Sequence, residues 1–275
     1  MTMMRRASIC TALLGLAFIG VPAAASAQPK VTLKAKIVPI QKNLTKKGGA
    51  TYPGTGNILG APAGIEADFT IKGSEYGDGH PDPLRGVNVF LPKGTKVSTK
   101  GFKTCAVSLF ENHEPEKCPK SSFAGPPGEA KGVVDFGEQP VAETVSVQSY
   151  FAPGGLLTFY IEGKSPASIE QFAKGSVKAT SGTFGQELVS EVPLISTVPG
   201  GFDASAETIK VTVGAAFMKG KKLVSYGTVP TTCPKGGFPG KAELAFGEGA
   251  ESTWTHTTVT TTVPCPKTSV KGKKK

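Results

Sequence analysis

The sequence predicts an all-β protein made of two sandwich-like antiparallel β units, Ig-like or jelly-roll-like in type, each closed by a disulfide. Short segments alternate apolar and polar residues, which is the period of a strand with one buried face. The chain of 275 residues also holds 35 glycines and 22 prolines without a strict period, which indicates many turns. Strand-like segments follow one another at spacings typical of a sandwich, with turn residues between them.

The strands of the N-terminal half are predicted from this alternation. Residues 31–40 alternate clearly, and a second alternating segment places Ile65, Ala67, Phe69 and Ile71 on one face. Further strands are predicted at 87–91, 133–136, 144–151 and 156–162, with a hairpin turn at Pro153-Gly154-Gly155 between the last two.

The C-terminal half contains a second set of extended segments. These are 176–180, 187–195, 208–213, 223–227, 241–246 and the threonine-rich 253–263. One helix is predicted at 165–174, because Pro166 suits a first helical turn and Gly175 suits a helix end. We therefore expect an N-terminal unit at 28–163, with a basic, Gly/Pro-rich leading segment at 28–64, and a C-terminal unit at 164–266.

Residues 1–27 have the pattern of an export signal. Arg5-Arg6 precede an apolar run that extends to about Val21, and Ala25-Ser26-Ala27 form a small-x-small cleavage site. We expect cleavage after Ala27 and a mature protein that is secreted or associated with the cell envelope. The general secretory route is favoured over twin-arginine export, because the residues that flank Arg5-Arg6 fit the twin-arginine pattern poorly. After this segment no apolar stretch approaches the roughly 20 residues that span a bilayer.

The net charge of +10 includes +2 from Arg5 and Arg6 of the predicted signal, and the remaining positive charge is concentrated at the two ends of the predicted mature chain. Residues 28–65 hold six lysines and no acid, and 267–275 hold five lysines and no acid. The predicted partners of these ends are an anionic cell-wall polymer or lipid headgroups, and the candidate binding residues are Lys271, Lys273, Lys274 and Lys275. The alternative is a disordered, solubilising tail at 267–275. Nucleic acid is not predicted as a partner, because basic and aromatic residues do not interleave.

Four cysteines remain after the predicted signal, and they permit three pairings. Because the chain groups them in two pairs, we expect disulfides Cys105–Cys118 and Cys233–Cys265. Chain-entropy arithmetic gives each roughly 3–4 kcal/mol of stabilisation. Zinc binding is not expected, since the sequence has neither close Cys-x2–4-Cys pairs nor matching histidines.

The sequence contains two further candidate sites, and no cofactor is predicted. Asp78, His80 and Asp82 are candidates for a cation site, although Asp-Gly and Asp-Pro also form ordinary turns. Tyr150, Tyr160 and Trp254 are candidates for an exposed aromatic platform that stacks on a sugar, the alternative being that these rings fill the core.

The predicted function is that of a non-catalytic binding or structural protein of the cell envelope or extracellular space. One alternative is a carbohydrate-binding module. The other is an extracellular hydrolase that uses His80 or His113, which requires a cleft where the histidine meets a carboxylate or a serine. Gly-x-Ser-x-Gly, the motif that marks the nucleophile of many hydrolases, does not occur in the sequence.

One pattern in the sequence is shared with a known type of protein. It consists of Leu91-Pro92-Lys93-Gly94 followed by Cys105 and Cys118-Pro119, and Cys233-Pro234 and Cys265 also fit it. It resembles a recurring type of uncharacterised exported protein from high-GC Gram-positive bacteria. The resemblance implies export and a β-rich fold, and it implies no activity.

Overall fold

The computed structural model of the chain describes residues 28–41, 50–74, 79–135 and 139–266, and it is nearly all β, as predicted. Its one α-helix within those residues is α1 (Val107–Glu111). In chain order the strands are β1 (Lys30–Val38), β2 (Gly64–Lys72), β3 (Leu84–Pro92), β4 (Lys96–Val97), β5 (Gly128–Asp135), β6 (Pro140–Phe151), β7 (Leu157–Gly163), β8 (Ile169–Ala179), β9 (Phe184–Glu191), β10 (Ser205–Val213), β11 (Ala216–Lys219), β12 (Lys222–Ser225), β13 (Gly227–Thr228), β14 (Phe238–Phe246) and β15 (Thr255–Val263).

Eleven of the strands form one sheet in the order β1-β2-β10-β5-β6-β7-β8-β9-β3-β14-β15. All neighbouring pairs are antiparallel. The expected pair of sandwich units is not confirmed. Strand β10 from the C-terminal half lies between β2 and β5, and β3 from the N-terminal half lies between β9 and β14.

The helix predicted at 165–174 is wrong. Strand β8 occupies most of that segment and pairs with β7 and β9. Its buried positions Ile169, Ala173 and Gly175 lie on one face of a strand, and the two-residue step from Ala173 to Gly175 does not fit one face of a helix.

The sheet rolls up until its two edge strands lie side by side. At one end of this seam the Thr257 hydroxyl donates a hydrogen bond to the carbonyl oxygen of Pro29, at 3.1 Å. Further along, Ile37 and Val263 belong to the same hydrophobic cluster, so β1 and β15 run in the same direction. A β-bulge between Ala206 and Thr208 in β10 increases the local twist that this curvature needs.

The roll separates an apolar interior from a polar exterior. On β1, Val31 and Leu33 are buried inside, while Lys30, Thr32 and Lys34 are exposed outside. The neighbouring strands β5 and β10 approach each other closely at Gly132. A Cβ on this residue would lie 2.0 Å from the carbonyl oxygen of Ser205, so the position requires glycine. The second half of β14 and the whole of β15 show the same alternation of burial, as the period-two pattern of their sequence predicts.

One end of the roll is closed by aromatic rings. The ring centre of Phe102 lies 4.4 Å from that of Phe151 and 5.0 Å from that of Phe217, and the Phe151 ring lies 5.2 Å from Tyr226. At the opposite end, Pro193, Leu194, Ile195 and Ala204 of the segment between β9 and β10 face the interior.

Both predicted disulfides are confirmed. Cys105 is bonded to Cys118, and Cys233 is bonded to Cys265. Such bonds indicate an extracellular or otherwise oxidising environment. The first disulfide closes the segment containing α1, whose Phe110 packs on the outer face of the sheet at 5.0 Å from the Tyr150 ring.

Within the described ranges, no helix has the length and apolar character needed to cross a bilayer. The predicted signal at 1–27 and the lysine-rich segment 267–275 lie outside the residues that the structure describes.

Candidate functional site

An apolar cavity of about 220 Å³ lies inside the rolled sheet. Its wall is made by inward-facing side chains of β2, β3 and the six consecutive strands β5 to β10. Val145, Phe159, Leu188 and Val211 are typical of the lining. The volume exceeds that of an engineered apolar cavity of about 150 Å³ that stays dry and binds benzene. This interior has the size and the surface chemistry to bind a small apolar molecule.

A smaller cavity of about 60 Å³ lies next to the first, between β1, β2, β3, β14 and β15. Ala67 and Val89 line both spaces, so the two are separated by side chains of β2 and β3 rather than by a backbone layer. The smaller cavity is also apolar in its lining, with Leu33 and Phe238 among its residues.

Glu143 is the unusual residue of the larger cavity. It lies on β6 in the same inward-facing row as Val145 and Val147, and it is only 4% exposed. The backbone N–H of Ala167 donates to its Oε2 at 2.9 Å, and the N–H of Thr144 donates to its Oε1 at 3.2 Å. Gly163 leaves room for the carboxylate, because a Cβ there would lie 3.1 Å from Oε1.

Two other ionisable side chains line the larger cavity in the described part of the chain. Lys131 directs its ammonium outward, where it lies 3.3 Å from Glu129 Oε1 and its side chain is 54% exposed. Tyr226 is buried at the aromatic end of the roll, and this burial raises the pKa of its phenol. Glu143 is therefore the buried carboxylate of an otherwise apolar wall.

The predicted aromatic platform is not formed by Tyr150 and Tyr160. Their rings are 5% and 6% exposed, because the disulfide-bonded segment with Phe110 covers them. Burial, together with the negative charge of Glu162 near Tyr150 and of Glu170 near Tyr160, raises the pKa of each phenol to about 12.

Trp254 lies elsewhere, partly buried at the start of β15. The Arg85 guanidinium sits 4.6 Å from its ring centre and occupies one ring face. Burial and the negative charge of Glu248 raise the pKa of Asp203 above its ordinary value. The positive charge of Arg85 opposes this shift without cancelling it. The structure does not bring Trp254 together with the two tyrosines as one surface.

The predicted cation ligands are not assembled by the described residues, among which no group of three or more His, Cys, Asp or Glu side chains is arranged to hold a metal ion. Asp78 lies outside the described residues. His80 Nδ1 lies 3.3 Å from Glu207 Oε1, and Asp82 precedes β3.

The histidines of the hydrolase alternative meet carboxylates on the outer surface. His113 Nδ1 lies 2.9 Å from Glu170 Oε2, and its side chain is 62% exposed. Neither His80 nor His113 is part of the cavity wall. The predicted anion-binding residues Lys271, Lys273, Lys274 and Lys275 fall outside the described residues, whereas Lys30, Lys34 and Lys36 are exposed along one face of β1.

The sequence interpretation overlooked the cavity and its carboxylate. The predicted strand began at residue 144, one position after Glu143. A signal was present, because Glu143 precedes Val145 and Val147 at even spacing, which places a charged residue on the buried face.

Searches of the chain against protein-family models, curated proteins and solved structures each found no match. The cavity is therefore the feature from which function is inferred.

Proposed function

We propose that this chain is an exported, non-catalytic binding protein that holds a small apolar molecule inside its rolled sheet. The observation that carries the proposal is the apolar cavity of about 220 Å³. Protein interiors are otherwise close-packed, with few voids larger than a water molecule, so an interior space of this size is unusual. Its cost in stability is offset when a ligand fills it.

The lining sets the class of ligand. Side chains such as Val145, Phe159 and Leu188 offer dispersion contacts and few hydrogen bonds, which favours aliphatic or aromatic hydrocarbon groups. Scaled from benzene in the engineered cavity, the space accommodates roughly nine non-hydrogen atoms. A short alkyl chain or a fused pair of rings meets both requirements.

Thermal unfolding with added 1-octanol tests this proposal. A ligand that binds the folded protein and not the unfolded chain raises the midpoint of unfolding as its concentration rises. The substitution Ala130→Leu fills part of the cavity, since Ala130 lines it on β5 opposite Val145. We expect this variant to bind octanol about tenfold or more weakly. The larger side chain and octanol together would overpack the space, and overpacking costs about 1–3 kcal/mol.

The matched control is Ala142→Leu, which makes the same change at an exposed position on β6. The control should bind octanol like the wild type. Saturable stabilisation that is equal in wild type, Ala130→Leu and Ala142→Leu would place octanol outside the cavity and contradict the proposal.

We further propose that the basic ends hold the protein to an anionic polymer or lipid surface of the envelope. Lys30, Lys34 and Lys36 on the outer face of β1 add exposed positive charge to the lysine-rich segment 267–275. Such an interaction weakens with salt, because mobile ions screen exposed charges.

A further inference from the structure

We infer that the apolar ligand carries an ammonium group that binds the carboxylate of Glu143. This inference rests on the proposed function, because it assigns the polar end of the same ligand. It follows from the burial of Glu143 in the cavity wall, from its lack of a cationic neighbour among the described residues, and from its unused hydrogen-bonding capacity.

The charge of Glu143 lacks a counter-charge in the described part of the chain. The side chain is 4% exposed, and no lysine, arginine or histidine nitrogen there lies within 4.0 Å of it. Lys131, the basic residue of the same wall, instead lies beside Glu129. Burying an ionised carboxylate without a paired charge is costly, so buried charges in proteins are normally paired.

The carboxylate also has room to accept more hydrogen bonds. Its two oxygens offer about four acceptor positions, and the backbone N–H groups of Ala167 and Thr144 use one on each oxygen. An ammonium group donates up to three hydrogen bonds and brings the missing positive charge. The apolar part of the ligand would then contact Val145, Ile161 and Ile169, which line the cavity around this residue.

The same geometry disfavours an anionic ligand. A fatty-acid carboxylate at this position would meet Glu143 with like charge in a region of low dielectric constant. The overall charge of the protein acts in the opposite direction, since a net positive charge, which is +10 for the full sequence with its predicted signal, attracts anions from solution. A preference for an ammonium ligand would therefore be caused by the Glu143 carboxylate, because the positive charge of the protein surface disfavours cations.

Three probes with one alkyl chain test the inference: n-octylamine, 1-octanol and octanoate. Titration calorimetry at neutral pH on the purified protein, with both disulfides formed, measures the affinity of each. We expect octylamine to bind about tenfold or more tightly than octanol, because hydrogen bonds between charged groups are stronger than neutral ones, and octanoate to bind most weakly. This ranking needs no variant.

The substitution Glu143→Gln removes the charge and keeps an oxygen that can accept from Ala167. In this variant octylamine should bind no more tightly than octanol, because its ammonium group no longer meets a counter-charge and burying it unpaired is costly. The control Glu129→Gln removes an exposed carboxylate from neighbouring β5 and should keep the wild-type ranking.

The outcomes separate the two proposals. If octanol binds in the cavity as tightly as octylamine, or octanoate binds best, the ammonium inference is wrong and the proposed function stands. If none of the probes binds, the proposed function is wrong and the inference falls with it. A wild-type preference for octylamine that persists in Glu143→Gln would also overturn the role of Glu143.

Discussion

The Glu143 carboxylate accepts a hydrogen bond from the backbone N–H of Ala167 at 2.9 Å, and this bond links β6 to the segment that leads into β8. The contact lies at the wall of the apolar cavity, where Ala167 also packs against Val134 and Ile169. The Glu143 side chain thus fixes the position of the segment that leads into β8 and also places a carboxylate in the wall of the cavity.

The first prediction concerns the structural part of this contact. Glu143→Ala leaves the buried N–H of Ala167 without its acceptor, which should lower the free energy of unfolding by about 1–3 kcal/mol. Glu143→Gln retains an acceptor oxygen and should cost less than Glu143→Ala. Urea unfolding of the ligand-free proteins measures both, and equal losses would show that the hydrogen bond does not contribute.

The second prediction concerns the cover formed by the first disulfide loop. Phe110 is buried against the rings of Tyr150, Tyr160 and Phe172. Phe110→Ala should lower the free energy of unfolding by about 3–5 kcal/mol, as expected for a buried aromatic side chain. Leu156→Ala, at a side chain that is 38% exposed, is the control and should change it by no more than about 0.5 kcal/mol. Similar small effects at both positions would mean that the loop does not pack on the sheet.

The third prediction is a loss of stability at alkaline pH. Burial raises the pKa of Tyr150 and Tyr160 from 10.0 to about 12 in the folded protein. Because the folded pKa is above the unfolded one, the stabilisation is complete below pH 10.0 and declines as pH rises toward 12. Ultraviolet absorbance should therefore show these phenolates forming late, together with unfolding.

The substitution Tyr160→Phe checks the origin of this decline. It removes one of the titrating phenols while keeping the ring beside Phe110. Stability should then fall less steeply with pH over the same range. Phenolates of both tyrosines that form near pH 10 in a protein that stays folded would contradict their burial.

The fourth prediction concerns the lysine-rich segment. Deletion of residues 267–275 should reduce retention on an anionic resin or an isolated cell-wall fraction, because it removes five lysines. About 0.5 M salt should release the full-length protein, since the Debye length is then roughly 4 Å. Unchanged retention after the deletion would assign binding to another surface or to none.

Local patterns predicted many of the strands, because the side-chain period of a strand is visible in consecutive residues. Alternation of Ile65, Ala67, Phe69 and Ile71 identifies β2 through the side-chain period of a strand. The cysteine pairing followed from the grouping of the cysteines along the chain. The helix prediction at 165–174 failed because the pairing of β8 with β7 and β9 overrides weak local signals such as Pro166 and Gly175.

The strand order was beyond local reasoning. Val211 of β10 lies opposite Ala67 of β2, a pairing between residues far apart in sequence that no turn specifies. Alternation also shows which side chains share a face of the sheet. It does not show which part of the outer face is covered by another segment of the chain. For that reason the sequence left open whether Tyr150 and Tyr160 form an exposed platform or fill the core, and in the structure the loop carrying Phe110 buries them.

A crystal of the protein held under xenon pressure tests the apolar cavity most directly. Xenon enters dry apolar cavities in proteins. The account predicts xenon density inside the roll, among Val145, Phe159, Leu188 and Val211. Side chains that fill this space, with xenon absent from the interior, would contradict it.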